Sequence, residues 1–205
     1  MHKALCLISG GYDSPVASSI IKERFEPIAL HFSIQPFTDS KPELKTKNIC
    51  KLLGIKKIYV ISAGKLFAEI VNKCNHRYYY VLSKRLMLRI AEKIARKERC
   101  SFIVTGESLG QVSSQTLDNL TLIDKAAKLT VLRPLLAYDK NEIISMSKDL
   151  CLYEISTGPE VCDRLGPKNP KTRCNEKSIK EEERKLSIPN LVSNGVKNAK
   201  CEYIH

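Results

Sequence analysis

Tryptophan is absent from the 205 residues, and aromatic residues together make up 6%. Such a chain has little from which to build a base-stacking platform for single-stranded nucleic acid. C-x-x-C is absent too. The eight cysteines (Cys6, Cys50, Cys74, Cys100, Cys151, Cys162, Cys174 and Cys201) lie no closer than eleven positions apart. The local spacing of a zinc ribbon or an iron–sulfur cluster is therefore missing. No G-x-x-x-x-G-K-[ST] occurs, which excludes a Walker loop; around Gly64-Lys65, Tyr59 and Leu66 break that pattern. No window approaches the ~20 apolar residues needed to cross a bilayer. The apolar run after Met1-His2-Lys3 is too short for a signal peptide. A cytoplasmic protein with no membrane association and no disulfide framework is the expectation.

What is present begins with charge. The formal net charge is +12 and the pI about 9.3. An excess of this size favours polyanions through counterion release, although lysine is also ordinary solvated surface. The length suits one sizeable domain. Residues 4–8 form a continuous apolar run, the pattern of a buried parallel strand. Further strands are predicted over 27–32, 57–61, 101–104 and 129–132, with a short edge strand in the tail over 201–204. Helices are predicted after Pro15, over 41–53 with a stop at Gly54, and over 78–97. Another follows Asp139, with Glu142 placed as in a capping box. Strands alternating with helices predict an α/β layered domain with a parallel sheet. Its ligand would bind beyond the carboxyl ends of the strands, near 9–14, 33–40, 105–115 and 133–140. Residues 156–176 form a Gly/Pro-rich loop, and 176–186 a charged, solvated helix. The domain is expected over 1–175, with 176–205 as a helical and strand extension of it.

Ser9-Gly10-Gly11-Tyr12-Asp13-Ser14 joins the first strand to a helix. The glycines permit positive φ and close approach of backbone N–H groups to a ligand. The helix start adds unpaired donors and a positive dipole end, and Ser9 and Ser14 add hydroxyls. Together they suit a pyrophosphate. Asp13 belongs in an anion site only with a cation, which points to Mg2+ held directly or through water. The competing reading is an ordinary strand–turn–helix with capping side chains. Thr105 to Leu120 is a second polar loop after a strand, and small residues make it accessible. Cys162 lies in the Gly/Pro-rich loop beside Arg164 and Lys168, cations that favour a thiolate.

The order S-G-G-x-D-S resembles the signature of the PP-loop (N-type) ATP pyrophosphatases, also described as adenine nucleotide alpha hydrolase-like. Five ordered motifs narrow the resemblance to the ThiI-type tRNA 4-thiouridine synthetases. They are SGGYDSPVA over 9–17, Lys84-Arg85-Leu86-Met87, the string from Thr105 to Leu120, Arg133-Pro134-Leu135-Leu136 with Asp139-Lys140-Asn141-Glu142-Ile143, and Pro159-Glu160-Val161-Cys162. The resemblance covers roughly residues 3–175. It implies ATP phosphates held by Ser9 to Ser14, with Asp13 acting through Mg2+. It places His31 and Phe32 near the adenine, and Gly106 and Gln111 along the nucleotide site. Lys140 would neutralise the reacting phosphates, and Cys162 would carry sulfur as a persulfide. The reaction implied is ATP-dependent adenylation of a tRNA uridine followed by thiolation, with AMP and pyrophosphate released. Cys174 is a candidate second thiol for resolving the product.

The family's THUMP and rhodanese-like domains have no counterpart in these 205 residues. The expected partners are tRNA, held weakly by this chain alone, a separate THUMP-domain protein, and a sulfur donor such as a cysteine desulfurase or sulfide. A homodimer stays open. So do two other functions: a stand-alone PP-loop adenylating enzyme acting on a small molecule or sulfur carrier, and a nucleotide-binding subunit of a split thiolation complex.

Overall fold

Strand β1 (Lys3–Leu7) has apolar side chains facing both ways: Leu5 enters one core cluster, while Ala4 and Cys6 enter another. A strand buried on both faces needs cover on both, and the chain supplies helices to each side. The computed structural model describes residues 2–110, 112, 114–157 and 164–204. Around β1 lie β2 (Glu26–Ser33), β3 (Lys57–Ser62), β4 (Cys100–Val104), β5 (Val131–Leu132) and β6 (Lys200–Tyr203), in the order β5-β4-β1-β2-β3-β6. All pair in parallel except β6, which runs antiparallel on the β3 edge. The expected parallel-sheet α/β architecture is present, and its tail strand closes one edge.

Helices α1 (Asp13–Lys22), α2 (Lys41–Leu52), α6 (Lys140–Asp149) and α7 (Tyr153–Ser156) cover one face. Helices α3 (Gly64–Lys73), α4 (Tyr79–Lys97), α5 (Leu117–Asp124), α8 (Glu176–Glu183) and α9 (Ile188–Lys197) cover the other. Just after α2, Gly54 adopts φ +63°, a common helix ending for which glycine carries no Cβ penalty. The predicted capping box is formed: the Asp139 carboxylate accepts from the N–H groups of Asn141 and Glu142, and Glu142 accepts from Asp139 N–H. No helix among the described residues is long and apolar enough to cross a membrane.

Two expectations need correction. The polar loop from Thr105 ends earlier than its composition suggests, because Thr116 caps Asn119 N–H and α5 begins at Leu117. Helix α8 is not merely solvated: Ile179 and Glu182 are buried, and Glu183 pairs with Arg85 and Arg89 of α4. Beyond it, within the expected helical and strand extension, α9 buries Leu191 and Val192 against α4.

Candidate active site

The strand order reverses at β1: β2 lies to one side and β4 to the other. Such a switch point opens a crevice at the carboxyl ends of the strands. The loops after β1 and β4 meet there. A Cβ on Gly106 would lie 2.4 Å from Ser14 N and 2.5 Å from Ser14 Cα. Only glycine lets the post-β4 loop rest on the first turn of α1, so Gly106 is required by backbone packing whatever else it touches.

The 9–14 loop is internally braced. Ser9 N–H donates to Ser14 Oγ at 2.9 Å, the two serine Oγ atoms are 3.2 Å apart, and Gly11 N–H donates to Ser9 Oγ at 3.3 Å. Gly10 does not use the left-handed region; among the described glycines only Gly54 and Gly110 do. A Cβ on Gly10 would come within 3.0 Å of Lys45 Cδ, a close approach to a flexible side chain. Asp13 begins α1, directly after Tyr12. Lys45, which no motif singled out, lays its stem over Gly10 and donates through Nζ to Ser156 O (3.2 Å) and Thr157 O (3.1 Å). Tyr12 and Tyr153 add a ring contact at 6.3 Å. The chain leading towards Cys162 is thus tied to the 9–14 loop at two points.

His31 is buried on β2. Its Nδ1 lies 3.0 Å from Ile8 O, a carbonyl that can only accept, so Nδ1 carries the proton. Thr46 Oγ1 gives its own hydrogen to Pro42 O and can receive a share of the same N–H at 3.2 Å. Burial pushes the His31 pKa down, against the bond to Ile8. The imidazole is therefore neutral and steers the residue that enters the 9–14 loop. Its Nε2 is left as a buried acceptor without a partner among the described residues, as is Gln115 Oε1. Phe32, the next residue, points to the opposite face and stacks on Phe67 at 6.4 Å.

Behind the crevice, Glu107 accepts from Lys84 Nζ (2.6 Å), Arg133 Nε (2.7 Å) and Thr105 Oγ1 (3.1 Å). Arg133 also holds Asp124 with two bonds of 3.0 and 2.6 Å. Burial raises the Glu107 carboxyl, but Lys84 and Arg133 outweigh it and hold it at about 2. The network locks α4, the post-β4 loop and β5 together at this edge.

Lys140 is exposed as the first residue of α6, a helix packed against α1, and its ammonium makes no hydrogen bond or ion pair to another described residue. Gln111 and Cys162 lie outside the described residues. Cys174 is buried; Asn119 accepts its N–H at 3.0 Å, and burial raises its thiol. A buried, protonated thiol does not suit a resolving nucleophile.

The family model described as "Thiamine biosynthesis protein (ThiI)" matches residues 1–188. The chain belongs to the ThiI family. A relative from Alkaliphilus oremlandii, named "Probable tRNA sulfurtransferase", is 38% identical over 98% of this chain and 53% of its own length. One of the same name from Moorella thermoacetica is 38% identical over 96% of this chain and 52% of its own. The chain thus spans about half the length of the curated relatives it matches. A solved 4-thiouridine synthetase–RNA complex with bound ATP superposes with a TM-score of 0.94 at 34% identity, over 100% of this chain and 55% of that one. The fold is that of the PP-loop ATP pyrophosphatases.

Proposed function

We propose that the chain activates a tRNA uridine with ATP and exchanges the activated oxygen for sulfur. The braced loop of Ser9 to Ser14 at the sheet's switch point carries this reading. Its N–H and hydroxyl donors at the start of α1 suit a leaving pyrophosphate. Asp13 suits Mg2+, an ion commonly held by one or two carboxylates together with substrate phosphates and water. The buried acceptors His31 Nε2 and Gln115 Oε1 fit a ligand rich in N–H donors, such as the amino group of adenine. Membership of the ThiI family, and the ATP and RNA in the solved relative, support the substrates.

In the first step uridine O4 attacks the α-phosphorus, and pyrophosphate leaves into the 9–14 loop. In the second, the terminal sulfur of a persulfide on Cys162 attacks C4 and AMP departs. The nucleoside is then joined to Cys162 through a disulfide, which a second thiol must cleave. Cys174, buried as it is, makes a poor second thiol, and another molecule supplies it. Lys140 offers an exposed cation for the phosphates.

Asp13→Ala is expected to keep the fold and abolish pyrophosphate release from ATP in the presence of tRNA. Cys162→Ser should still release pyrophosphate while making no thiolated nucleoside. Release of orthophosphate from the γ-position, with Asp13 dispensable, would overturn the reading.

A further inference from the structure

We infer that the cleft between the 3-10 turn His76–Tyr78 and the loop 165–172 is a binding subsite for the RNA phosphate backbone; this rests on the tRNA reading above. The cleft has a volume of about 750 Å3 and is lined by His76, Arg77, Lys168 and the loop around Pro167 and Pro170, with no carboxylate among its lining residues. Arg77 and Lys168 are exposed, and Lys168 has no hydrogen bond or ion pair to another described residue. Lys171 adds a third cation at the rim, its Nζ 5.6 Å from the Tyr78 ring centre.

The walls are preorganised. His76 Nε2 lies 2.7 Å from Leu165 O, Arg77 Nε donates to Asn169 O at 3.3 Å, and Lys171 N–H donates to Arg77 O at 3.0 Å. From the other side the buried Asn119 donates to Lys171 O and Thr172 O, at 3.2 and 3.1 Å. A cleft fixed in this way meets a polyanion with little ordering cost.

Its place in the fold selects the ligand. Lys84, on the second turn of α4, bonds Glu107, and Gly106 beside it rests on the phosphate loop. The cleft lies at the start of the same helix, seven residues before Lys84. At ~1.5 Å per residue that is on the order of 10 Å along the axis. The loop forming its wall also follows the segment that carries Cys162. A nucleic acid presenting one base to the crevice must run its backbone nearby, and phosphate contacts set register without reading sequence.

The test measures fluorescence-labelled tRNA binding to the 205-residue chain from about 50 to 200 mM KCl. Each lost phosphate contact lowers the slope of log K against log salt by about 0.7–0.9. Arg77→Glu with Lys168→Glu should reduce that slope by at least two contacts and weaken binding roughly tenfold or more near 150 mM salt. Lys168→Glu alone, which breaks no internal bond, should remove about one contact. Lys51→Glu, at the far end of α2, makes the same charge change and should leave the slope unaltered. Equal losses from Lys51→Glu and Lys168→Glu would mean only net charge matters and would overturn the subsite, as would unaltered binding in the double variant. Pyrophosphate release is followed in parallel: tRNA binding that depends on Arg77 and Lys168 without any release upholds the cleft and overturns the adenylation reading.

Discussion

At the scale of single residues, the crevice depends on what a side chain excludes as much as on what it offers. Gly106 has no room for a Cβ because the backbone of Asp13 and Ser14 occupies that space. Gly106→Ala must push the post-β4 loop off α1. Overpacking of this kind costs about 1–3 kcal/mol. Here the strain falls on the 9–14 loop, which the proposed function gives to the ATP phosphates, so ATP affinity should drop roughly fivefold to a hundredfold by titration calorimetry. Affinity equal to that of the parent chain would show that the two loops move independently. His31 illustrates the opposite case. The side chain orients Ile8 through one nitrogen and leaves the other as a buried acceptor. Nothing in the string His-Phe distinguishes that role from a packed core histidine.

At the scale of elements, the segment 171–174 of the post-Cys162 loop is held against α5 by side chains of that helix and its cap. Asn119, fully buried on α5, accepts from Cys174 N–H and donates to the carbonyls of Lys171 and Thr172, while Thr116 Oγ1 donates to Thr172 O at 2.8 Å. Asn119→Ala leaves the buried Cys174 N–H and the half-buried Lys171 carbonyl without this partner, while Thr172 O keeps Thr116. At ~1–3 kcal/mol for an unsatisfied buried group, a loss of about 2 kcal/mol is expected. The local signature is more telling. Hydrogen exchange at residues 171–174 should rise, and Cys174, sheltered in the parent chain, should become reactive to a maleimide. A variant whose Cys174 stays unreactive would show that α5 does not hold the loop. The capping box of α6 was legible because its two side chains lie three residues apart. The clamp by Asn119 joins positions more than fifty residues apart and has no local pattern.

At the scale of the whole molecule, buried charge gives stability a defined pH dependence. Burial keeps His31 neutral with its pKa below 6.5. As pH falls below about 6.5 the unfolded chain takes up a proton that the folded chain refuses, so stability declines. Glu107 stays ionised down to about 2, against 4.5 when unperturbed, because Lys84 and Arg133 overcome the cost of burial. Glu183 is likewise held down, burial being outweighed by Arg85 and Arg89. The stability these carboxylates contribute is present above about pH 4.5 and is lost as pH falls towards their folded values. Urea midpoints measured from about pH 8 to 3 should therefore fall in two stages. Glu107→Gln should flatten the lower stage and cost about 3 kcal/mol at neutral pH, since it leaves Lys84 and Arg133 without their buried partner. A midpoint independent of pH would contradict both assignments.

Much of this was written locally. Apolar runs over 4–8, 27–32 and 101–104 identify the buried strands, because a strand covered on both faces must be apolar at nearly every position. The string from Ser9 to Ser14 marks the turn between β1 and α1 at the sheet's switch point, the loop proposed to take the phosphates. Other features exist only after folding. That Gly106 serves packing, that His31 and Phe32 face opposite sides of the sheet, that Lys45 joins Gly10 to Ser156 and Thr157, and that α8 and α9 complete the core on α4 are all contacts between residues far apart in sequence. Side-chain periodicity reports which face of an element is apolar; it does not report what lies against it. The partner across a crevice is chosen by strand order and helix placement, and those come from packing the whole chain at once.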